Sequence, residues 1–170
     1  PNGFEPGLIS KYDALEKYDK FTISYTGSLY VGRTPEPVFK AIKKLAEDGV
    51  IDTNKIKIKL VGSCNKIDGI PTSRLVHSYG LDNVVEILDT VPYSEALEII
   101  KKSHIALLLA PTLQYQIPAK VYDYMGLGTK VLALTDEGAA ADFVNSTGVG
   151  KAFRSSDING IMEFIQQIVQ

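Results

Sequence analysis

The chain has 170 residues, the size of one ordinary domain with a single hydrophobic core. Its composition is 45% apolar and 22% charged, close to the average of soluble globular proteins, which excludes intrinsic disorder and collagen-like or disulfide-rich scaffolds. The net charge of -2, with dispersed Lys and Arg, gives no footprint for nucleic acid or for a membrane surface.

A single cysteine, Cys64, excludes an internal disulfide and suits a reducing compartment, so a cytoplasmic location is expected. The longest apolar run, 105–111, is much shorter than the about 20 residues that cross a bilayer. The opening Pro1-Asn2-Gly3 is typical of a turn or linker. We therefore expect a linker over residues 1–20, one domain over 21–170, and a chain that is an excised part of a longer protein.

Apolar segments rich in β-branched residues alternate with amphipathic segments, a pattern that is typical of a parallel sheet. Strands are predicted at residues 21–26, 56–61, 83–88, 104–110, 130–134 and 149–153. Helices are predicted at residues 35–48, 72–79, 94–102, 118–127, 139–145 and Ile158–Val169. The predicted fold is α/β: a Rossmann-like, doubly wound parallel sheet of about six strands with helices on both faces.

Local signals place several of these boundaries. Pro35 suits a first helical turn, and Gly49 follows a last turn as a stop signal. Ser94 is predicted to cap the N-terminus of the helix at 94–102. The strand at 104–110 is nearly all apolar, so we expect it near the middle of the sheet, covered on both faces.

Ligands of doubly wound sheets bind beyond the carboxyl ends of the strands. The loops to inspect begin at Gly27, Gly62, Asp89, Pro111 and Thr135. The two glycines are expected to end their strands.

The loop at 27–33 reads Gly-Ser-Leu-Tyr-Val-Gly-Arg and carries the first candidate site. Gly27 and Gly32 let the backbone approach a ligand closely. Arg33 precedes a predicted helix N-terminus, and a guanidinium beside free N–H groups suits a diphosphate. The alternative is an ordinary surface arginine.

The predicted helix at 118–127 carries the second candidate site. Lys120 and Asp123 are three residues apart and lie on neighbouring parts of one face. In the functional interpretation Lys120 and the helix N-terminus face a phosphate, while Asp123 accepts hydrogen bonds from ribose hydroxyls. The alternative is a surface ion pair between the two side chains, which the spacing alone favours.

Residues 117–126, Ile-Pro-Ala-Lys-Val-Tyr-Asp-Tyr-Met-Gly, resemble the Pro-Ser-Lys-x-x-Glu-Tyr-Met stretch of retaining GT-B glycosyltransferases of group 1, family 4. The resemblance continues at residues 1–4, 31–33, 60–62 and 88–93, which look like that family's linker into the C-terminal domain, phosphate-binding turn, second strand end and base-binding loop. Nearly all of the chain is thus covered, in the right order.

The resemblance implies a site for a nucleoside diphosphate sugar. Arg33 and Lys120 would stabilise the leaving diphosphate, and Asp123 would hold the ribose in place of the family's second motif Glu, one methylene shorter. Tyr115 stands where the first motif carboxylate is expected, and the family's Lys soon after the Arg is absent. The remaining implied donor-binding residues are Gly32, Gly62, Val91, Tyr115, Gln116, Ile117 and Ala119.

The function implied is donor binding in a retaining, metal-independent hexosyltransferase of bacterial surface polysaccharide or glycolipid biosynthesis. A UDP- or GDP-sugar would be the substrate, with no cofactor and no nucleic-acid partner. The acceptor, and any membrane contact, would belong to an N-terminal domain that this chain lacks, so the isolated chain is expected to be inactive. The alternative is a catalytically degenerate module that binds a nucleotide or a partner; a dinucleotide-binding domain is disfavoured because the loop at 27–33 lacks a third glycine.

Other polar residues are expected to be structural. His77 and His104 match no catalytic constellation by spacing, and Cys64 is a lone loop thiol. The nine tyrosines are expected to pack against the sheet and its rim.

Overall fold

The alternating segments form one six-stranded parallel sheet with the strand order β5-β2-β1-β6-β7-β8. The structure is a computed structural model that describes residues 6–111 and 114–170. In chain order its elements are α1 (Pro6–Ile9), β1 (Phe21–Ser28), α2 (Glu36–Glu47), β2 (Ile56–Ser63), β3 (Lys66–Ile67), β4 (Ile70–Pro71), α3 (Thr72–Ser78), β5 (Val85–Leu88), α4 (Tyr93–Lys102), β6 (Ile105–Ala110), α5 (Ala119–Leu127), β7 (Lys130–Thr135), α6 (Ala139–Thr147), β8 (Gly150–Phe153) and α7 (Ile158–Val169).

Helices cover the sheet on both faces. One apolar cluster joins the sheet to α2, α3 and α7, through side chains such as Phe39, Val76 and Ile161. The other joins the opposite face to α4, α5 and α6, through side chains such as Ile100 and Tyr124. All six residues of β6 are buried because this strand lies between the two halves of the sheet. The predicted doubly wound, Rossmann-like α/β fold is therefore confirmed.

The sequence predicted that β1 and β2 end at Gly27 and Gly62, but both strands continue beyond these glycines. β1 and β2 pair in register through Gly27 with Gly62 and Ser28 with Ser63. A Cβ on Gly62 would collide with the carbonyl oxygen of Gly27, and its φ of +121° is one that other residues rarely adopt. Glycine therefore lets the two strands run on together to the sheet edge.

Ser94 is not the cap of α4, so that prediction was wrong. The helix begins at Tyr93, directly after Pro92, and makes no side-chain cap bond. Pro92 is the last extended residue before the helix, with φ -55° and ψ 149°. Its carbonyl oxygen accepts a hydrogen bond from Ala96 N. Ser94 instead offers its carbonyl oxygen to Tyr12 Oη, 3.0 Å away.

The segment before β1 packs along α4. Tyr12 is buried in the second cluster, and Tyr18 N donates to Lys102 O at 2.8 Å. Lys17 Nζ donates to the carbonyl oxygens of Lys101 and Ser103, both at 2.7 Å, where α4 ends. The turn predicted at residues 1–3 lies outside the described residues. Over 6–111 and 114–170, we find no helix with the length and apolar character needed to span a membrane.

Candidate functional site

A cleft of about 310 Å³ opens at the carboxyl ends of β1 and β2. Its walls are the ends of these strands, the loop after β5, and the first turns of α4 and α5. The strand order reverses beside it, because β2 and β5 extend from one side of β1 while β6, β7 and β8 lie on the other. Open α/β sheets bind their ligands at such a switch point.

Gly27 leaves room at the floor of the cleft. A Cβ at this position would stand 2.7 Å from Lys120 Nζ and 2.9 Å from Tyr25 Oη. The absence of a side chain thus allows both polar groups to lie over the strand. Tyr25 Oη donates to Ser28 O at 2.8 Å, which fixes the ring beside the glycine.

Lys120 holds a half-buried ammonium at the start of α5. Its Nζ donates to the carbonyl oxygen of Thr26, 94 residues away in the chain, and lies 5.7 Å from the centroid of the Tyr25 ring. Burial lowers the pKa of Lys120, and the nearby positive charge of Arg33 lowers that pKa further. Placing an anion beside it would reverse this effect.

Arg33 lies next to Lys120, although 87 positions separate them in the chain. Both line a neighbouring cavity of about 260 Å³ together with Tyr25, Pro118 and other residues. The tight turn from Tyr30 to Arg33 is closed by two backbone bonds, of 2.8 and 3.3 Å, and the guanidinium carbon lies 4.6 Å from the Tyr30 ring centroid. Arg33 Nε is buried and has no hydrogen-bond partner among the described residues.

Asp123 and Tyr93 meet across the cleft from α5 and α4. Tyr93 Oη donates to Asp123 Oδ2 at 2.8 Å. Burial, and secondly this bond, raise the pKa of Tyr93 to about 12. The spacing alone favoured an ion pair between Asp123 and Lys120, and that prediction was wrong because Asp123 pairs with Tyr93. Among the described residues, neither Lys120 nor Arg33 forms a salt bridge with a carboxylate.

The other sequence-predicted site residues divide into two groups. Gly62 and Val91 line the cleft, and Ala119 lines the neighbouring cavity. The second group lines neither. Gly32, with φ +80° in the turn, lines a separate cavity. Tyr115 is 91% exposed, Gln116 is exposed, and Ile117 packs against the apolar cluster under α5.

Two tyrosine hydroxyls at the site were missed, because the tyrosines other than Tyr115 were assigned to packing. Tyr25 and Gly27 are two apart in a strand and so share one face, which is a signal that could have identified Tyr25. Tyr93 belongs to the loop at 88–93 that resembles a base-binding loop. The packing interpretation holds for Tyr124, which is buried in the second cluster.

The other polar residues that the sequence set aside have structural contacts. Cys64 is buried and donates to Gly27 O at 3.4 Å, and burial raises the pKa of its thiol to about 11. His104 Nδ1 accepts from Thr22 N at 3.1 Å. His77 lies 3.1 Å from Asp82 at an exposed position. Within the described ranges, no group of three or more His, Cys, Asp or Glu side chains is arranged to hold a metal ion.

The sequence matches no family model and no curated protein, whereas the fold matches many solved structures. WaaG, a glycosyltransferase involved in lipopolysaccharide biosynthesis, has a TM-score of 0.70 and 14% identity over 98% of this chain and 43% of its own. Anabaena Alr3699/HepE in complex with UDP-glucose has a TM-score of 0.73 and 15% identity over 99% of this chain and 46% of its own. The α,α-trehalose-phosphate synthase (UDP-forming) of Burkholderia xenovorans has a TM-score of 0.73 and 13% identity over 100% of this chain and 43% of its own.

The chain therefore spans less than half the length of each of these three proteins. These identities establish the fold alone. The predicted resemblance is confirmed at that level: the whole chain has the architecture of about half of a GT-B retaining glycosyltransferase, as expected for one domain of such a protein.

Proposed function

We propose that this chain is the C-terminal, donor-binding domain of a retaining, metal-independent hexosyltransferase, and that its cleft binds a nucleoside diphosphate sugar. The observation that carries the proposal is the convergence of Arg33 and Lys120 on the N-terminus of α5, with no carboxylate among the described residues paired to either. Two neighbouring cations without a salt bridge to a carboxylate are electrostatically costly unless a ligand supplies compensating charge. The first N–H groups of α5 add further donors.

The charge in this region suits the chemistry of glycosyl transfer. When the bond between the anomeric carbon and the phosphate oxygen breaks, its electron pair stays on the diphosphate. Arg33, Lys120 and the α5 N–H groups would stabilise that developing charge, and one well-placed donor is worth about 3–4 kcal/mol in other enzymes. An acceptor hydroxyl, bound by another part of the protein, would form the new bond to the sugar and lose its proton to a base in that part.

The fold comparisons support the substrate class. Alr3699/HepE, which shares this fold, was solved with UDP-glucose. WaaG is a glycosyltransferase involved in lipopolysaccharide biosynthesis, which supports a role for this chain in making a bacterial surface glycan or glycolipid. The cytoplasmic location remains part of the proposal and rests on the single cysteine. Because the chain spans less than half of those proteins, we expect binding but no turnover from it alone.

Calorimetric titration of the chain with UDP and GDP tests the proposal. We expect weak binding, and Arg33→Ala should weaken it by about tenfold or more because it removes charge-assisted hydrogen bonds. Arg154→Ala is the matched control, since Arg154 is exposed and pairs with Glu137 away from the cleft. Absence of binding at millimolar concentration, or equal affinity in the Arg33→Ala variant, would refute the proposed site.

One observation favours a second candidate, a degenerate module that binds a nucleotide or a partner without catalysing transfer. Tyr115 replaces the first motif carboxylate and is 91% exposed, so it contributes no acid to the cleft. Assays of the full-length protein with a panel of nucleotide sugars separate the two. A transferase releases nucleoside diphosphate, even if slowly in water, whereas a degenerate module binds the donor and leaves it intact.

A further inference from the structure

Tyr93 and Asp123 form a pair of hydrogen-bonding groups in the cleft. Tyr93 is the first residue of α4 and Asp123 lies in the second turn of α5, so two neighbouring helices hold them. Tyr93 Oη donates its proton to Asp123 Oδ2 at 2.8 Å, and both side chains line the cleft. The pair therefore has a defined geometry before any ligand binds.

The pair can only accept further hydrogen bonds. A tyrosine hydroxyl has one proton, and Asp123 takes it, so Tyr93 Oη is left with acceptor capacity. Asp123 Oδ1 receives no bond from the described residues. The carboxylate also polarises the hydroxyl, which makes Tyr93 Oη a stronger acceptor. Two acceptors that lie side by side match two donors on neighbouring carbons, as in a cis-diol.

The position of the pair separates this role from phosphate binding. Phosphate oxygens are acceptors and would be repelled by Asp123, whereas Arg33 and Lys120 provide the cationic part of the region. Asp123 is also one methylene shorter than the Glu of the motif that it resembles. Tyr93, which comes from the opposite wall, offsets that shorter reach.

We infer that Tyr93 is a direct ligand-binding residue: one ribose hydroxyl donates to Asp123 Oδ1 and the neighbouring one to Tyr93 Oη. The inference rests on the proposed function, because it requires a nucleotide in this cleft. The resemblance already implies Asp123 as a ribose ligand; the inference adds Tyr93 and assigns one hydroxyl to each of the two residues.

Deoxynucleotides test the inference. The 170-residue chain and its Tyr93→Phe variant are titrated with UDP and GDP, then with the 2′-deoxy and 3′-deoxy forms of whichever binds more tightly. We expect the wild-type chain to prefer the ribonucleotide over each deoxy form by about fivefold or more. Tyr93→Phe should bind the ribonucleotide about threefold to tenfold more weakly, lose the preference over one deoxy form and retain the other. Inorganic pyrophosphate should bind both proteins equally.

Two further variants keep the result interpretable. Tyr79→Phe is the matched control, because the Tyr79 hydroxyl also donates to a carboxylate, Glu36 Oε1 at 2.6 Å, but lies outside the cleft. It should leave every affinity unchanged. Asp123→Asn should remove the preference that Tyr93→Phe retains, so the two variants divide the two hydroxyls between them.

The outcomes distinguish this inference from the proposed function. If Tyr93→Phe keeps both preferences, Tyr93 does not contact the ribose; if it loses both, Tyr93 acts only by positioning Asp123; if it binds more tightly, the hydroxyl blocks the site. Each of these overturns the inference while the proposed function stands. If the wild-type chain binds no nucleoside diphosphate, both are overturned.

Discussion

At the scale of single residues, the site depends on charges that are unfavourable until a ligand binds. Lys120 is half-buried beside the guanidinium of Arg33, and burial and that neighbouring charge both lower its pKa. A bound diphosphate supplies the opposite charge and raises the same pKa, so binding is coupled to protonation.

This coupling predicts a pH dependence of binding. Protonated Lys120 is the binding form, so affinity for the diphosphate should fall as the pH rises through its lowered pKa, below the usual value near 10.5. In Lys120→Arg the side chain stays charged at every accessible pH, and the fall should disappear. Calorimetry from pH 7 to 10 on both proteins checks this, because ionisation of the ligand itself cancels in the comparison. Parallel pH profiles would show that Lys120 does not contact the anion.

At the scale of elements, the cleft depends on how two pairs of elements approach each other. β1 and β2 run side by side through Gly27 and Gly62. Helix α4 presents Tyr93 at its N-terminus, and Lys17 binds its C-terminus. One substitution can disturb each of these approaches.

Gly62→Ala should destabilise the domain more than a glycine substitution in an open turn. Gly62 has φ +121°, and its Cβ would meet the Gly27 carbonyl oxygen. Gly69 has φ +76° with nothing within 4 Å, so Gly69→Ala shares the backbone strain and lacks the collision. We expect about 1 kcal/mol for Gly69→Ala and at least about 3 kcal/mol for Gly62→Ala, measured by urea unfolding. Equal losses would mean that the strands separate easily at this edge.

Lys17 should stabilise α4 from outside the helix. Its ammonium donates to two carbonyl oxygens at the helix C-terminus, where a positive charge also complements the helix dipole. Lys17→Met should lower the free energy of unfolding by about 1 kcal/mol. Lys20→Met is the control, since the Lys20 side chain makes no bond among the described residues. Similar unfolding midpoints for the two variants would rule out a capping role.

At the scale of the whole molecule, burial of hydroxyl and thiol groups sets the alkaline limit of stability. Burial is the largest cause that raises the pKa of Cys64 from 9.0 to about 11 and the pKa of Tyr25 from 10.0 to about 12. A group whose folded pKa is raised stabilises the fold fully below its unfolded pKa, and that contribution is lost as the pH rises through the folded value.

The free energy of unfolding should therefore decline from about pH 9 and fall steeply by pH 12. Urea unfolding at pH 8, 9.5 and 11 measures it. In Cys64→Ala the decline should begin nearer pH 10, where the tyrosines of the unfolded chain begin to ionise. A flat profile between pH 8 and 11 would contradict the burial of these groups.

The sequence by itself determined the order, type and approximate extent of the major elements. Its apolar alternation predicted β6 as a buried central strand, and the apolar spacing predicted α7 at Ile158–Val169 without error. Such elements are encoded locally, because residues two, three or four apart decide which face is apolar. The sheet edge beside Gly27, Gly62 and Lys120 was also predicted, because parallel strands bring their carboxyl ends to one edge.

Only the tertiary structure decided how the side chains at that edge are partnered. The bond from Lys120 to Thr26 joins residues 94 apart, and the bond from Tyr93 to Asp123 joins residues 30 apart. Spacing favoured an ion pair between Lys120 and Asp123, but the packing of α4 against α5 gave Asp123 a tyrosine instead. Local pattern fixes the direction in which a side chain leaves its own element, whereas its partner is set by which other elements the core packs beside it.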